Sequence, residues 1–327
     1  MGKMPMPQDE AGIMIQTSQL EITNIALTLL GVEPLTAITD QIQPGRASLL
    51  LFDPARLDVL RSYSWRFARE RAILPKLARA PLFGFSFAYQ LPWDYVGCPV
   101  PVPEDLPYSI ESMEYLSMED ETLGANLAVN GVFAADTNWT KGTGWTIAGG
   151  VAACSGAQTA VSTLSQAMSL TEESWYKIGY TLAAVTAGKL TVKCGSSGFR
   201  RSVSTPRTAS GPYVEALLCR GNSTLYFEAD ADFIGNLDNV TIQTIVAAPG
   251  LFYVRDASEI TVYPYDFAQA LAAYLAYQLT FALTNTPGKR SEMFDLYHIK
   301  INQAKLGSAR EGSPKAQRPH SWLAKRK

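Results

Sequence analysis

The hydrophobic period of this 327-residue chain changes twice, and each change marks a change of structural class. From Asn126 to about Thr244, apolar and polar residues alternate in short runs such as WYKIGYTLA (Trp175–Ala183) and KLTVKC (Lys189–Cys194). Turn residues part these runs every eight to twelve positions or so. Such alternation signals an antiparallel β-sandwich, because successive side chains of a strand face opposite sides. Both flanks instead space their apolar residues by three and four, the helical period. The chain reads as a helical protein opened at one loop to admit a β-domain. Function then has two seats, the scaffold and the guest.

Within the scaffold, Ser18 stands three residues ahead of Glu21 as a capping box, and Leu20, Ile22, Ile25, Ala26, Leu29 and Leu30 supply an apolar face that Gly31 ends. A second helix is expected from about Arg46 to Tyr63, with Leu49, Leu50, Phe52 and Leu60 toward the core and a kink or restart at Pro54. The stretch CPVPVPEDLPY holds too many prolines for a helix or a central strand and reads as an extended arm. After the insert, LFYV and EITVYPY read as short strands, followed by helices over Phe267–Leu283 and Ser291–Lys305. The expected fold class is α+β: a helical bundle core with a small β element, interrupted by an inserted antiparallel β-sandwich. Residues 1–122 and 246–312 make the helical domain, 123–245 the sandwich, and 313–327 a basic tail.

Few chemistries fit this composition. A net charge of −2 gives no whole-chain reason for nucleic-acid binding. Four widely spaced cysteines, Cys98, Cys154, Cys194 and Cys219, form no CxxC motif and read as reduced, mostly buried thiols. His298 and His320 are the only histidines, neither has a nucleophile at triad spacing, and no GxSxG, P-loop, GxGxxG or HExxH occurs. No catalytic residue, metal site or cofactor is expected, and the chain reads as a non-enzyme. The MGKMPMPQDEAG start lacks an apolar stretch of signal-peptide length, and Phe267–Leu283, broken by Gln269 and Gln278, reads as a core or interface helix, not a membrane span.

Two surfaces are candidates for binding. In the guest, Asp230, Asp232 and Asp238 lie in DADFIGNLDNV, an acidic turn without EF-hand spacing. Trp139, with Trp145, Trp175 and Tyr176, is a candidate for stacking on sugar rings, although alternation sends about half of such aromatics to the core. At the other end, Arg310–Lys327 carries Arg310, Lys315, Arg318, Lys325, Arg326 and Lys327 against Glu311 alone. It reads either as a solvated basic tail or as one that orders against a partner, with Trp322 as an anchor.

The scaffold also carries a resemblance. The run IALTLLGVEPLTAITD, then RASLLLFDPARLDVLRSYSWRFARERAILPKL and PLFGFSFAYQLPWDY, resembles the head-to-tail adaptor family of tailed bacteriophages, the tail tubular protein A-like group. YPYDFAQALAAYLAYQLTFALT with LYHIKINQAKLGSARE is similar to that family's closing helix pair, and SWLAKR to its tail end. The likeness spans roughly 200 residues in two blocks. In the guest, NGVFAADTNWTKGTGWTIAGGVA and GNLDNVTI resemble the first and last strands of jelly-roll domains of carbohydrate-binding-module type.

The adaptor resemblance implies a homo-oligomeric ring, dodecameric in that family, between portal protein and tail nozzle protein, with DNA passing through the lumen unread. It implies a virion location after assembly in the host cytoplasm, no membrane, and a tail whose Arg310, Arg318, Trp322, Lys325 and Arg326 meet the portal. A closing ring needs two different complementary faces on each subunit, for which the closing helices and the aromatic SWRFA–FAYQLP block are candidates. The guest is then a peripheral domain, with Trp139 and the Asp230–Asp238 turn meeting a tail fibre or decoration protein. The alternative is a carbohydrate-binding or host-adhesion tail protein.

Overall fold

Helix α1 (Gln19–Leu30) begins where the sequence marks it: Ser18 Oγ accepts from the Glu21 N–H at 3.1 Å, and Glu21 Oε2 accepts from the Ser18 N–H at 3.3 Å. Gly31 ends it in the left-handed region at φ 74°, which glycine adopts without a Cβ clash. The computed structural model describes residues 18–102, 107–196, 199–284, 286 and 288–311. Over these residues the protein is mixed α+β, with four α-helices and several antiparallel sheets. The chain divides into two compact units. The first holds the described residues up to Glu70, Val96–Cys98, and those from Tyr253 on; the second holds Arg71–Tyr95 and Pro99–Phe252.

In the first unit, α1, α2 (Gln43–Arg61) and α4 (Lys289–Arg310) each pack on α3 (Tyr265–Leu283). Ala268, Ala270, Ala272, Ala273 and Ala276 of α3 are buried, and such small side chains let neighbouring helices approach closely. Ile22, Leu27, Phe52, Val59, Leu271, Leu275 and Leu279 fill the spaces between. Each fully buried side chain of this size contributes about 1.5–3 kcal/mol. Pro44 suits the first turn of α2, so the helix starts earlier than expected and runs through Pro54 as one element. Leu49 and Leu50 correct the expected core face. The buried stripe is Ser48, Phe52, Ala55, Arg56, Val59 and Leu60, which leaves Leu49 at its margin and Leu50, 75% exposed, opposite. Arg56 sits in that stripe because Asp53 and Asp256 pair with it, Nε reaching Asp53 Oδ1 at 3.0 Å.

The SWRFA segment also turns inward. Trp65 is buried with its Nε1 donating to Val59 O at 2.9 Å, and its ring meets Phe267 edge-on at 5.0 Å. Trp65 and Ala68 therefore belong to the core, while Arg66 stays exposed and Phe67 half-buried. EITV holds a 3-10 turn, Ile260–Val262, instead of a strand.

In the second unit, β2 (Phe87–Gln90), β5 (Glu114–Ser117) and β4 (Tyr108–Glu111) form an antiparallel sheet in that order. The start of the proline-rich arm, residues 98–102, lies in β3 (Tyr95–Val102), a strand whose residues are divided between the two units. It lies at an edge of the order β1 (Arg69–Ile73), β16 (Gly250–Arg255), β3, where missing proline N–H donors cost no ladder bond on the open side. Two further sheets stack as a sandwich. One has the order β12 (Leu190–Cys194), β14 (Thr224–Ala229), β10 (Ser162–Ala167), β7 (Thr140–Lys141). The other has the order β13 (Gly211–Leu218), β11 (Trp175–Ala187), β15 (Ile234–Ala247), β9 (Val151–Ser155), β8 (Trp145–Ala148), with β6 (Thr122–Asn126) also pairing β15. Burial alternates along β11, β12 and β14, as the period-two sequence requires. Ile178, Tyr180, Leu182, Val192, Leu225 and Phe227 meet between the sheets.

This unit is larger than the 123–245 segment set apart by its period. Asp94, just before β3, accepts from Arg200 Nη1 at 2.9 Å and from Arg201 Nη2 at 3.1 Å, and Glu121 pairs with Lys177. These ion pairs tie the sandwich to strands that precede it.

Candidate functional site

The expected surface residues of the guest are placed differently from one another. Trp139 is 7% exposed and belongs to the sandwich core, which corrects its assignment to the surface. Its ring lies 5.3 Å from Phe133 and 6.1 Å from Phe227, and its Nε1 donates to Asn130 O at 3.1 Å. The loop that carries it folds back because Asn130, at φ 54°, donates its amide to Ala135 O and Thr137 O. Trp145 and Tyr176 are buried as well. Asp230 and Asp232 share the turn before β15, where Asp230 Oδ1 accepts from the N–H groups of Lys189 and Asp232. Asp238 lies further on, within β15, and accepts from the Asn239 N–H at 2.6 Å. An extended strand gains about 3.3 Å per residue, so the three carboxylates do not converge. Among the described residues no group of three His, Cys, Asp or Glu side chains is placed to hold a metal.

In the basic tail, Arg310 is the exposed last residue of α4, while Arg318, Trp322, Lys325 and Arg326 lie outside the described residues. His320 lies there too. His298 is on the exposed side of α4, edge-on to Phe294 at 4.3 Å and tilted against Tyr297 at 5.5 Å.

What the first unit does present is an aromatic face on α3 and α4. Tyr274 stacks obliquely on Tyr297 at 4.8 Å, and Tyr277 lies 5.4 Å from Phe294. Arg290 donates to the Tyr277 hydroxyl at 2.9 Å and lies over the Phe281 ring at 3.8 Å. Tyr274 donates to Asp58 of α2 at 2.9 Å, which holds the stripe against the core; burial and that carboxylate push its phenol up to about 12. The outer part of this face is open: Phe281 is 72% exposed and Phe294 is exposed as well, while Ile299 and Leu306 are exposed on the opposite side of α4. No described helix is long and apolar enough to cross a membrane.

Besides Asp94, the second unit buries a second acid, Glu215. Glu215 is raised above the usual carboxylate range by burial, against the pull of Arg207, whose Nη2 and Nε donate to it at 2.6 and 3.0 Å. The adjoining cavity, lined by Leu91, Trp175 and Leu217 among others, has a volume of about 50 Å³, room for water and far below the roughly 300 Å³ of a substrate pocket. This pair stabilises packing. The outer side of the four-stranded sheet is polar instead: the register aligns Lys193, Tyr226 and Ser165 in one row, and Thr191, Glu228 and Thr163 in the next. Lys193 pairs with Glu228 at 2.6 Å. Away from the sandwich, Leu82 and Phe83 stand exposed between β1 and β2.

The aromatic face could be found in part from the spacing of tyrosines in α3 and α4. The polar sheet face was missed, since it is made by strands far apart in sequence, Thr163 standing opposite Glu228. No family model matches the chain, and no curated protein does. Among solved structures it is similar to the enzymatically active domain of tailspike protein 4 of bacteriophage CBA120, at 15% identity and a TM-score of 0.29, over 37% of this chain and 21% of that one. It is also similar to CBM29-2, a family 29 carbohydrate-binding module, at 12% identity and a TM-score of 0.24, over 41% of this chain and 91% of the module. A third likeness, to BiXyn10A CBM1 in its apo form, has 14% identity and a TM-score of 0.24, over 39% and 92% of the two chains.

Proposed function

We propose that this chain is a non-catalytic structural protein of a phage virion, a head-to-tail adaptor whose subunits join into a ring through the aromatic face of α3 and α4. The observation that carries the reading is the exposed pair Phe281 and Phe294, joined through Arg290 and Tyr277. Exposed aromatic side chains grouped with an arginine have the composition of a protein–protein contact. A ring closes when that face meets a different surface of the next subunit. In this reading the sandwich is a peripheral jelly roll that docks a further tail component, and the DNA passes without specific contact. Light scattering and negative-stain imaging of the full chain, alone and with its portal, test it. Rings are expected, and Phe281→Asp combined with Phe294→Asp should raise the protein concentration for half-assembly at least about tenfold. A chain that stays monomeric in both settings overturns the reading.

The basic tail then serves portal docking. Ending the chain after Glu311 keeps α4 whole, including Ser308, whose Oγ accepts from the Arg66 N–H at 3.1 Å. That truncation is expected to leave thermal unfolding unchanged and to weaken portal binding about tenfold, with the difference shrinking as salt rises. Equal affinity of the truncated and full chains would remove the tail from the contact.

A second reading, a carbohydrate-binding tail protein, is favoured by the polar outer face of the four-stranded sheet. Tyr226 offers a ring for stacking there, its hydroxyl held by Asn222 Nδ2 at 2.9 Å, amid the hydroxyls of Thr163, Ser165 and Thr191. It predicts polysaccharide retention by the full chain that Tyr226→Ala lowers by about tenfold or more without loss of folding. Absence of retention on a broad glycan array leaves the adaptor reading alone.

A further inference from the structure

Cys194 closes β12, in the four-stranded sheet, and Cys219 follows β13, in the six-stranded sheet of the same sandwich. The ends of these strands are held together by backbone. The Arg220 N–H donates to Cys194 O at 3.4 Å, while Cys219 exchanges 2.9 Å bonds with Glu173 and Ser174. The approach is close enough that a Cβ on Gly195, at φ 89°, would stand 1.9 Å from Arg220 O, so only glycine fits beside the pair. Both cysteines are buried in the sandwich core, at 0% and 2% exposure, and their thiols are near enough to influence each other's ionisation. Cys219 Sγ also donates to Asn222 O at 3.5 Å, under a turn whose Gly221, Asn222 and Ser223 are exposed. The other two thiols have different surroundings: Cys154 Sγ donates to Gln158 Oε1 at 3.3 Å, and Cys98 Sγ to Arg61 O at 3.6 Å.

We propose that Cys194 and Cys219 are an oxidisable pair, and that a small disulfide such as oxidised glutathione converts them to a disulfide that joins the two sheets of the sandwich. The steps balance. The Cys219 thiol loses its proton, and its sulfur attacks the small disulfide, forming a mixed disulfide and releasing one thiolate. Cys194, deprotonated in turn, attacks the Cys219 sulfur, forming the internal bond and releasing the second thiolate. Two protein thiols are oxidised, one small disulfide is reduced to two thiols, and the two protons pass to solvent and the released thiolates. Cys219 is the entry point because only a short exposed turn covers it. Burial pushes both thiols up, so little thiolate exists at neutral pH and the exchange quickens as pH rises. The bond would close a loop of about 25 residues across two sheets, which restricts the unfolded chain.

The experiment uses the full chain, purified with reductant and then held in oxidised glutathione at about pH 8.5, with a parallel sample in about 1 M urea to open the turn. The expected product is about 2 Da lighter, titrates two thiols in place of four, and yields a Cys194–Cys219 linked peptide. Its sandwich should melt about 5 °C higher than in reductant. Cys98→Ser should still lose the two hydrogens, whereas Cys219→Ser should not. An unchanged mass in both samples, glutathione adducts that never close, or linkage through Cys98 or Cys154 would each overturn the proposal.

Discussion

Replacing Asp94 by alanine is expected to lower the stability of the second unit by about 3 kcal/mol, a fall of roughly 10 °C in its melting temperature. The side chain of Asp94 is wholly inaccessible, yet it accepts from two guanidinium groups, Arg200 Nη1 at 2.9 Å and Arg201 Nη2 at 3.1 Å. Burying a carboxylate is costly by itself, and here the two positive charges offset that cost. Alanine removes the acceptor and leaves both guanidinium groups beside Leu91, Leu217 and Trp93 with their main counter-charge gone. Arg200 is 24% and Arg201 13% exposed at the side chain, so water relieves part of the imbalance, and the lower end of the usual range for a broken buried pair applies. Asp94→Asn keeps an acceptor oxygen while discarding the charge and should lose less. The check is denaturant unfolding followed through the sandwich tryptophans. A lower midpoint with an unchanged slope is expected, and a shift below about 1 kcal/mol would mean that the arginines are held by other contacts.

That cluster also shows where sequence reading stops. The sandwich was legible because it is local: Tyr176, Ile178, Tyr180 and Leu182 alternate along one strand, and alternation alone states which side is inside. The start of α1 was legible for the same reason, since Ser18 and Glu21 bond within one turn. Asp94 and Arg201 are 107 positions apart, and nothing in either neighbourhood announces the other. Leu50 misled because apolar identity was taken for inward direction, although the helical phase of Phe52, Ala55 and Val59 places it on the far side. EITV has the composition of a strand, but no partner strand takes it up, and it closes as a 3-10 turn before α3. Of the candidate sites, the closing helices α3 and α4 were legible as a contact candidate. Only the fold separates the inner tyrosines from the open Phe281 and Phe294. The acidic residues around Asp230 looked like one cluster because β15 was read as a turn. Extended chain carries Asp238 away from it.

Trp139→Ala is expected to cost about 3–5 kcal/mol and to unfold the sandwich at temperatures where the native chain is intact. Its indole fills the core beside Phe133 and Phe227, and Phe227 in turn packs edge-on against Tyr180 of the facing sheet at 5.5 Å. The ring thus supports the place where the two sheets meet, and its loss opens a cavity that flanking strands can only partly close. The Nε1 donor goes with it, so Asn130 O keeps only the Phe133 N–H, in a loop also tied by the Asn130 amide to Ala135 and Thr137 and by Gln166 to Val129 and Asn138. Trp139→Phe restores most of the volume without the donor and should recover about half of the loss. The measurement is near-ultraviolet circular dichroism with thermal unfolding. A surface tryptophan would leave both signals unchanged on truncation. The substitution also separates two explanations of any lost glycan binding: Trp139→Ala would abolish it together with the tertiary signal, as a change in the core must. Tyr226→Ala would abolish it with the tertiary signal intact, as only a contact residue on the sheet face can.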